Sequence, residues 1–287
     1  MSVQETPISV YPNPLTMTFQ RRSFLKLLPA LSGITYLSEP VKAQPAANIS
    51  LRFIVASDGH YGQPNTEFKA FHSDLVSWVN REKLQKGVDF LFINGDLIHD
   101  DPTLLYDFKN TISNLSVPYY VSRGNHDKVG LDVWQSTWGY PTNHSFAKGE
   151  YAFVVGDTSN EKGEYVCPDA TWLRNELAKY KDKKGIFVFL HITPAKWTVN
   201  GIECKEVIDL LENTPNVKAI FNGHDHDQDS TKMYGKKPYF FDGHFGGSWG
   251  TAYKGYRIVE IYNDHTWQSY QYNPTAAPVL NTFSGKA

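Results

Sequence analysis

Short apolar runs alternate with amphipathic stretches through the first two-thirds of the chain. Residues 51–57 form a β-rich run, and over residues 66–86 Phe68, Phe71, Leu75, Trp78 and Val79 recur at helical spacing until Gly87 stops the pattern. A buried-type strand follows over residues 90–94. Leu105, Phe108, Ile112 and Leu115 then share one helical face within residues 104–115, ahead of a run at 119–122. Further strand-like runs fall at 151–155, 186–190, 217–221, 239–241, 256–261 and 267–272. Trp172, Leu173 and Leu177 mark a helix before the run at 186, and residues 207–211 mark another before the run at 217. The first half therefore predicts a β-α-β-α-β series with a parallel sheet and crossover helices. Beyond Gly223 the strands follow one another without helices, which predicts a largely antiparallel part. The expected class is α/β: two mixed β-sheets packed face to face, with helices outside.

Composition narrows the function. The chain has 287 residues, 41% of them hydrophobic and 14% aromatic, which is ample for a core. With 28 Lys+Arg against 30 Asp+Glu the formal net charge is −2, so the broad positive field of a general nucleic-acid binder is lacking and no extended nucleic-acid surface is expected. Cys167 and Cys204 are the only cysteines, too few for a thiolate cluster. Spacing alone does not decide whether they bridge.

The first forty-odd residues read as an address. Arg21 and Arg22, followed by Phe24-Leu25-Lys26, precede an apolar run at 27–37 and the small-residue cleavage pattern Val41-Lys42-Ala43. This resembles a bacterial twin-arginine export signal, with an apolar stretch too short to span a bilayer. The resemblance implies recognition by the twin-arginine export machinery, a periplasmic or secreted product and no membrane span after cleavage. Residues 1–16 precede Met17, which is expected to be the true start, so that residues 1–43 are set apart as the signal region. Residues 44–287 contain no repeat or long linker and read as one catalytic domain.

The chemistry lies where the strand-like runs end. After the first comes Asp58-Gly59-His60, after the second Gly95-Asp96, and after the third Gly124-Asn125-His126-Asp127. His191 follows the run at 186–190, and Gly223-His224-Asp225-His226 follows the run at 217–221. Ligands of α/β folds collect at such carboxyl ends. Oxygen and imidazole donors without thiolate suit Mn, Fe, Zn, Co or Ni, and Asp96 is the natural carboxylate to bridge two cations. In Asp58-x-His60 and His224-x-His226 the outer residues face one way on extended chain while the middle one points elsewhere. Each motif alone is ordinary cap and turn chemistry. Five of them, in order at strand ends and using five of the 10 histidines, are not.

This series resembles the calcineurin-like metallophosphoesterases, whose blocks run Asp-x-His, Gly-Asp, Gly-Asn-His-Asp/Glu, His and Gly-His-x-His. The resemblance implies a four-layer α/β/β/α sandwich and two divalent or trivalent metal ions (Mn, Fe or Zn). The first would be held by Asp58, His60, Asp96 and His226, the second by Asp96, Asn125, His191 and His224. Two cations about 3.5–4 Å apart share a water, acidify it and clamp the attacking and leaving oxygens of an in-line displacement. The implied activity is phosphoester hydrolysis of a small substrate by a metal-bridging hydroxide, with His126 assisting the leaving group and Asp127 orienting His126. Purple acid phosphatases resemble the chain too. They lack the histidine of the first block, however, and carry an iron-binding tyrosine where His99 stands, so that branch is rejected and His99 is read as a loop residue that binds nothing. His244, in the glycine-rich segment 243–250, is a weaker substrate-site candidate. His72, His144 and His265 are read as packing or surface residues. Two alternatives remain: a phosphodiesterase for cyclic nucleotides or other short diesters, and a binding protein in which the metals are only structural clips.

Overall fold

The computed structural model describes residues 48–275 and 279–286; the expected signal region and cleavage site lie outside them. Two six-stranded sheets carry the fold. The first contains β1 (Ile49–Ala56), β2 (Phe90–Asn94), β3 (Tyr119–Ser122), β10 (Tyr256–Tyr262), β11 (Thr266–Tyr272) and β12 (Val279–Lys286), in the order β12-β11-β10-β1-β2-β3. The second contains β4 (His144–Lys148), β5 (Tyr151–Gly156), β6 (Gly185–Leu190), β7 (Val217–Asn222), β8 (Thr231–Tyr234) and β9 (Lys237–Phe241), in the order β4-β5-β6-β7-β9-β8. Helices α1 (Phe68–Lys86), α2 (Leu105–Thr111), α3 (Leu131–Trp138), α4 (Ala170–Lys179) and α5 (Lys205–Glu212) connect them.

The period of two along each central strand sorts side chains into three apolar layers. Phe53 and Val55 of β1, Phe90 and Phe92 of β2, and Phe187 and Phe189 of β6 meet in one cluster between the sheets. The residues between them turn the other way. Ile54, Leu91 and Ile93 pack with Leu75 and Val79 of α1 and Phe108 of α2, whereas Ile186, Val188 and Leu190 pack with Leu173 of α4 and Val207 of α5. The middle layer is built from phenylalanine rings, with Phe53 stacked on Phe90 at 4.9 Å and edge-on to Phe153 at 5.3 Å. Helices on both outer faces and an aromatic seam inside make the expected α/β/β/α sandwich.

Strands β1, β2 and β3 run parallel, as do β5, β6, β7 and β9, so five of their carboxyl ends open on one edge of the sandwich. At that edge the sheets are tied together. Asn94 Nδ2 at the end of β2 donates to the Phe221 carbonyl of β7 at 3.1 Å, and the buried Arg257 of β10 donates through Nε to Asp242 Oδ1 beyond β9 at 2.6 Å.

The C-terminal part departs from expectation in one place. β10, β11 and β12 are antiparallel, as are β8 and β9, but β9 lies parallel to β7. The short strand β8 makes the return leg, so β9 re-enters alongside β7 without a crossover helix. The helix expected over 104–115 is shorter: a 3-10 turn at Pro102–Leu104 leads into α2, which ends at Thr111.

Cys167, before α4, and Cys204, before α5, form a disulfide across a separation of 37 residues. It ties together the two segments that lead into the helices covering the second sheet. Replacing both cysteines by serine is expected to lower the unfolding free energy by about 2–4 kcal/mol, read as a reduced urea midpoint; an unchanged midpoint would show that the bridge carries no stability.

Candidate metal centre

The loops leaving β1 and β2 run side by side. Asp58 N–H donates to the Gly95 carbonyl (3.2 Å), and Gly59 and His60 N–H both donate to the Asp96 carbonyl (3.0 and 2.9 Å). This pairing holds Asp58, His60 and Asp96 in left-handed backbone, with φ of 59°, 48° and 48°. Among the described residues eight non-glycine positions have positive φ, and six of them, the three above with Asp100, Lys128 and His224, lie at or beside this edge. Such conformations cost roughly 1–3 kcal/mol each and persist where the surroundings over-determine them. The glycines of the motifs permit close approach: a Cβ on Gly124 would strike the backbone nitrogen and carboxylate of Asp96, and one on Gly223 the Ser57 hydroxyl and Asp58 carboxylate.

The side chains converge. The buried Asp58, His60 and His226 form one group of donors, and the buried Asp96 and His191 with the half-buried His224 form a second, each with ligand atoms within 4.8 Å of one another. Asp96 reaches both groups, its Oδ2 lying 3.3 Å from His191 Nε2 and 3.6 Å from His60 Nε2. Asn125 is buried with its Oδ1 unpartnered, and the Nε2 atoms of His191 and His224 are unpartnered as well. Buried polar atoms without hydrogen bonds are costly, so three of them at one edge fit a centre made to hold cations.

Tautomers follow from the partners. His191 Nδ1 donates to the Asn94 carbonyl at 2.7 Å and His226 Nδ1 to the Trp249 carbonyl at 3.2 Å, so that Nε2 is the nitrogen of each ring that would turn a lone pair to a cation once it gives up any proton it holds. Burial opposes charge on Asp58, but His226 and His191 outweigh it and lower its pKa to about 2. Asp96 is likewise held well below the usual carboxylate range, by His191 and His60 against its burial. His191, although buried, is raised to about 10 by Asp96 and Asp58, whereas burial lowers His60 to about 3 and His224 to about 4. The two ionised carboxylates are thus partly offset by a proton on His191 that a bound cation would displace.

His126 sits at the rim with its side chain 27% exposed. Its backbone N–H donates to Asp96 Oδ1 at 2.8 Å, and its ring Nδ1 lies 3.1 Å from Asp100 Oδ1, an oxygen that also takes Lys128 Nζ at 2.7 Å. This corrects the expected role of Asp127. That carboxylate is fully buried and accepts from the N–H groups of Ile98 (3.0 Å) and Gly124 (2.6 Å), so it braces the loop that carries Asn125 and does not touch the His126 ring. The ring's partner is Asp100, missed because the sequence offers an aspartate directly beside His126 and none of the five motifs includes position 100.

Other residues fall into place. Asp225 turns away from the centre, as the two-residue spacing predicts, and accepts from Thr198 and Asn200 at 3.0 Å each. His244 is buried and holds the glycine-rich loop through the Gly246 and Thr251 carbonyls, with its ring stacked 5.1 Å from that of His226; it lies behind a metal-ligand candidate, not over the open face. His72 packs against Tyr61 and Phe245. His144 begins β4 and is buried. His99 does have a partner: its Nδ1 is 2.9 Å from His60 Nδ1. Two aromatic side chains flank the centre. Trp249, 43% exposed, lies parallel to His226 at 4.3 Å, and Tyr165, 42% exposed, meets His224 edge-on at 4.8 Å.

The chain is similar to known proteins in sequence and in fold. The chain is 28% identical over 165 residues to a protein of Arcobacter nitrofigilis named probable glycerophosphodiester phosphodiesterase, covering 52% of this chain and 60% of that relative's length. It is 25% identical over 200 residues to one of Fibrobacter succinogenes named probable cyclic nucleotide phosphodiesterase, covering 64% of this chain and 75% of the relative. The fold matches a dimetal phosphatase from Danio rerio with a TM-score of 0.66 at 12% identity, over 83% of this chain and 99% of that one. It also matches a purple acid phosphatase from yellow lupin with a TM-score of 0.63 at 13% identity, over 82% and 53%. Residues 51–228, which hold all five motifs, match the calcineurin-like phosphoesterase family, and the chain belongs to that family.

Proposed function

We propose that the chain is an exported, metal-dependent hydrolase of small phosphodiesters. The observation that carries this reading is the pair of donor groups joined through Asp96. Asp58, His60, Asp96 and His226 would hold one cation, and Asp96, Asn125, His191 and His224 the other. Cations so placed supply Lewis-acid polarisation of a phosphoryl oxygen and an acidified water as nucleophile. The protein's own residues do the rest. The paired loops of β1 and β2 fix the carboxylates before substrate arrives, so little reorganisation accompanies the chemistry. With Nδ1 held by Asp100, the ring of His126 has Nε2 left to pass a proton to the leaving oxygen. The Lys128 ammonium and the ring of His126 both face Asp100 and lower its pKa from the usual value, against partial burial.

Diesters are favoured over monoesters because the relatives named above carry phosphodiesterase names. Trp249 and Tyr165, standing against opposite donor groups, favour a planar leaving group such as a nucleoside over glycerol. Base–aromatic stacking is worth about 1–3 kcal/mol. The disulfide supports the proposed periplasmic or secreted location, since such bonds persist in oxidising compartments. Folding in the cytoplasm before export would favour Mn or Fe over Zn through availability. Elemental analysis of native protein with Zn alone would contradict that choice.

Three outcomes are expected. His126→Ala should lower kcat on a nucleotide diester by about 10²–10⁴-fold while elemental analysis still finds both metals; the metal-clip reading instead requires unchanged ligand binding and no turnover in either protein. Dialysis against a chelator should abolish turnover and lower Tm, with both restored by Mn or Fe, because cations bind only the folded form; a chelated protein of unchanged Tm would place no cation at this centre. Trp249→Ala should raise KM for a nucleotide diester by about 5- to 150-fold, whereas a wild type that prefers glycerophosphodiesters would remove the nucleoside preference.

A further inference from the structure

Three histidines of the centre face their neighbours through Nε2 and are anchored through Nδ1, but not by the same kind of partner. For His191 and His226 the anchor is a backbone carbonyl, which can only accept and so fixes the tautomer outright. For His60 the anchor is another imidazole, Nδ1 of His99 at 2.9 Å. His60 is fully buried, and its Nε2 faces the centre, 2.9 Å from His226 Nε2 and 3.6 Å from Asp96 Oδ2. A neutral imidazole has one N–H and one lone pair, so a ring that gives Nε2 to a cation must carry its proton on Nδ1. That proton has one acceptor within reach, His99 Nδ1, and His99 in turn must then carry its own proton on Nε2.

The setting of His99 suits that role. Its backbone N–H donates to the Tyr61 carbonyl at 2.9 Å, its ring stacks on His126 at 4.9 Å and 8°, and its Nε2 lies 4.0 Å from Asp100 Oδ2 on the side away from His60. The same aspartate therefore faces the proton-bearing edges of His99 and His126.

We propose that His99 is a positioning residue for the cation held by Asp58, His60, Asp96 and His226, taking the Nδ1 proton of His60 as the carbonyls of Asn94 and Trp249 do for His191 and His226. This rests on the dimetal reading above. Outer hydrogen-bond partners of ligating histidines typically contribute 10–100-fold to metal affinity, and the loss of this one should fall on a single cation.

The test is a titration of metal-free protein with cobalt(II) alone, followed by its d–d absorption, on wild type and three variants. His99→Phe keeps a ring to stack on His126 but has no acceptor, His99→Ala removes both, and His99→Asn restores an acceptor without the ring. Wild type should bind two ions. His99→Phe and His99→Ala should bind one of them about 10–100-fold more weakly and the other as before, with metal-free circular dichroism spectra matching wild type, while His99→Asn should recover most of the lost affinity. Unchanged affinity in His99→Phe, or equal weakening in His99→Asn and His99→Phe, overturns the role of His99 and leaves the dimetal reading intact. Fewer than two cobalt ions on the wild type overturns that reading and this proposal together.

Discussion

The structure turns on two buried carboxylates. Asp58 and Asp96 are both withdrawn from water at the edge of a phenylalanine-filled sandwich, and among the described residues no lysine or arginine pairs with either. Two like charges at close quarters in a poorly solvated site are unfavourable unless positive charge is brought in. The groups that meet them are histidines, one hydroxyl and backbone N–H groups. Apart from a proton shared among imidazoles, cations are the natural complement to such a set. The left-handed backbone at Asp58, His60, Asp96 and His224, and the unpartnered atoms of Asn125, His191 and His224, both describe a site assembled against local preference.

The fold supplies what such a site needs. Parallel strands deliver their carboxyl ends to one edge, and the Asn94–Phe221 hydrogen bond draws the two sheets together there. The first sheet brings Asp58, Asp96 and Asn125, and the second His191, His224 and His226. Behind them, period-two alternation seals the middle layer with aromatic rings, so the loops rest on a rigid floor. Rigidity of this kind holds an aspartate fixed between two groups of donors.

Most of this was legible in the sequence because the relevant signals are local. The runs at 90–94 and 119–122 are continuous apolar stretches between breakers, and they coincide with β2 and β3. Asp-x-His and His-x-His put alternate residues on one side, and the structure sends the intervening Asp225 away from the centre. What escaped depends on tertiary partners. β8 is four residues of mixed polarity, partly exposed, and pairs only with β9, so it carries no buried-strand pattern. β4 is an edge strand with only its first residue buried. Asp127 looked like the partner of His126 because the two are adjacent, yet adjacent residues in a tight turn point apart. Asp100 reaches the ring from another loop, and chain distance gives no hint of it. His99 was passed over for the same reason. The Cys167–Cys204 bridge needed coordinates to place the starts of α4 and α5 side by side.

The central claim is that Asp96 is shared by two cations. Anomalous scattering from a crystal of metal-loaded protein tests it most directly. Two peaks are predicted, one among Asp58, His60 and His226, the other among Asn125, His191 and His224, with the Asp96 carboxylate between them. A single peak, or peaks away from Asp96, would contradict the account.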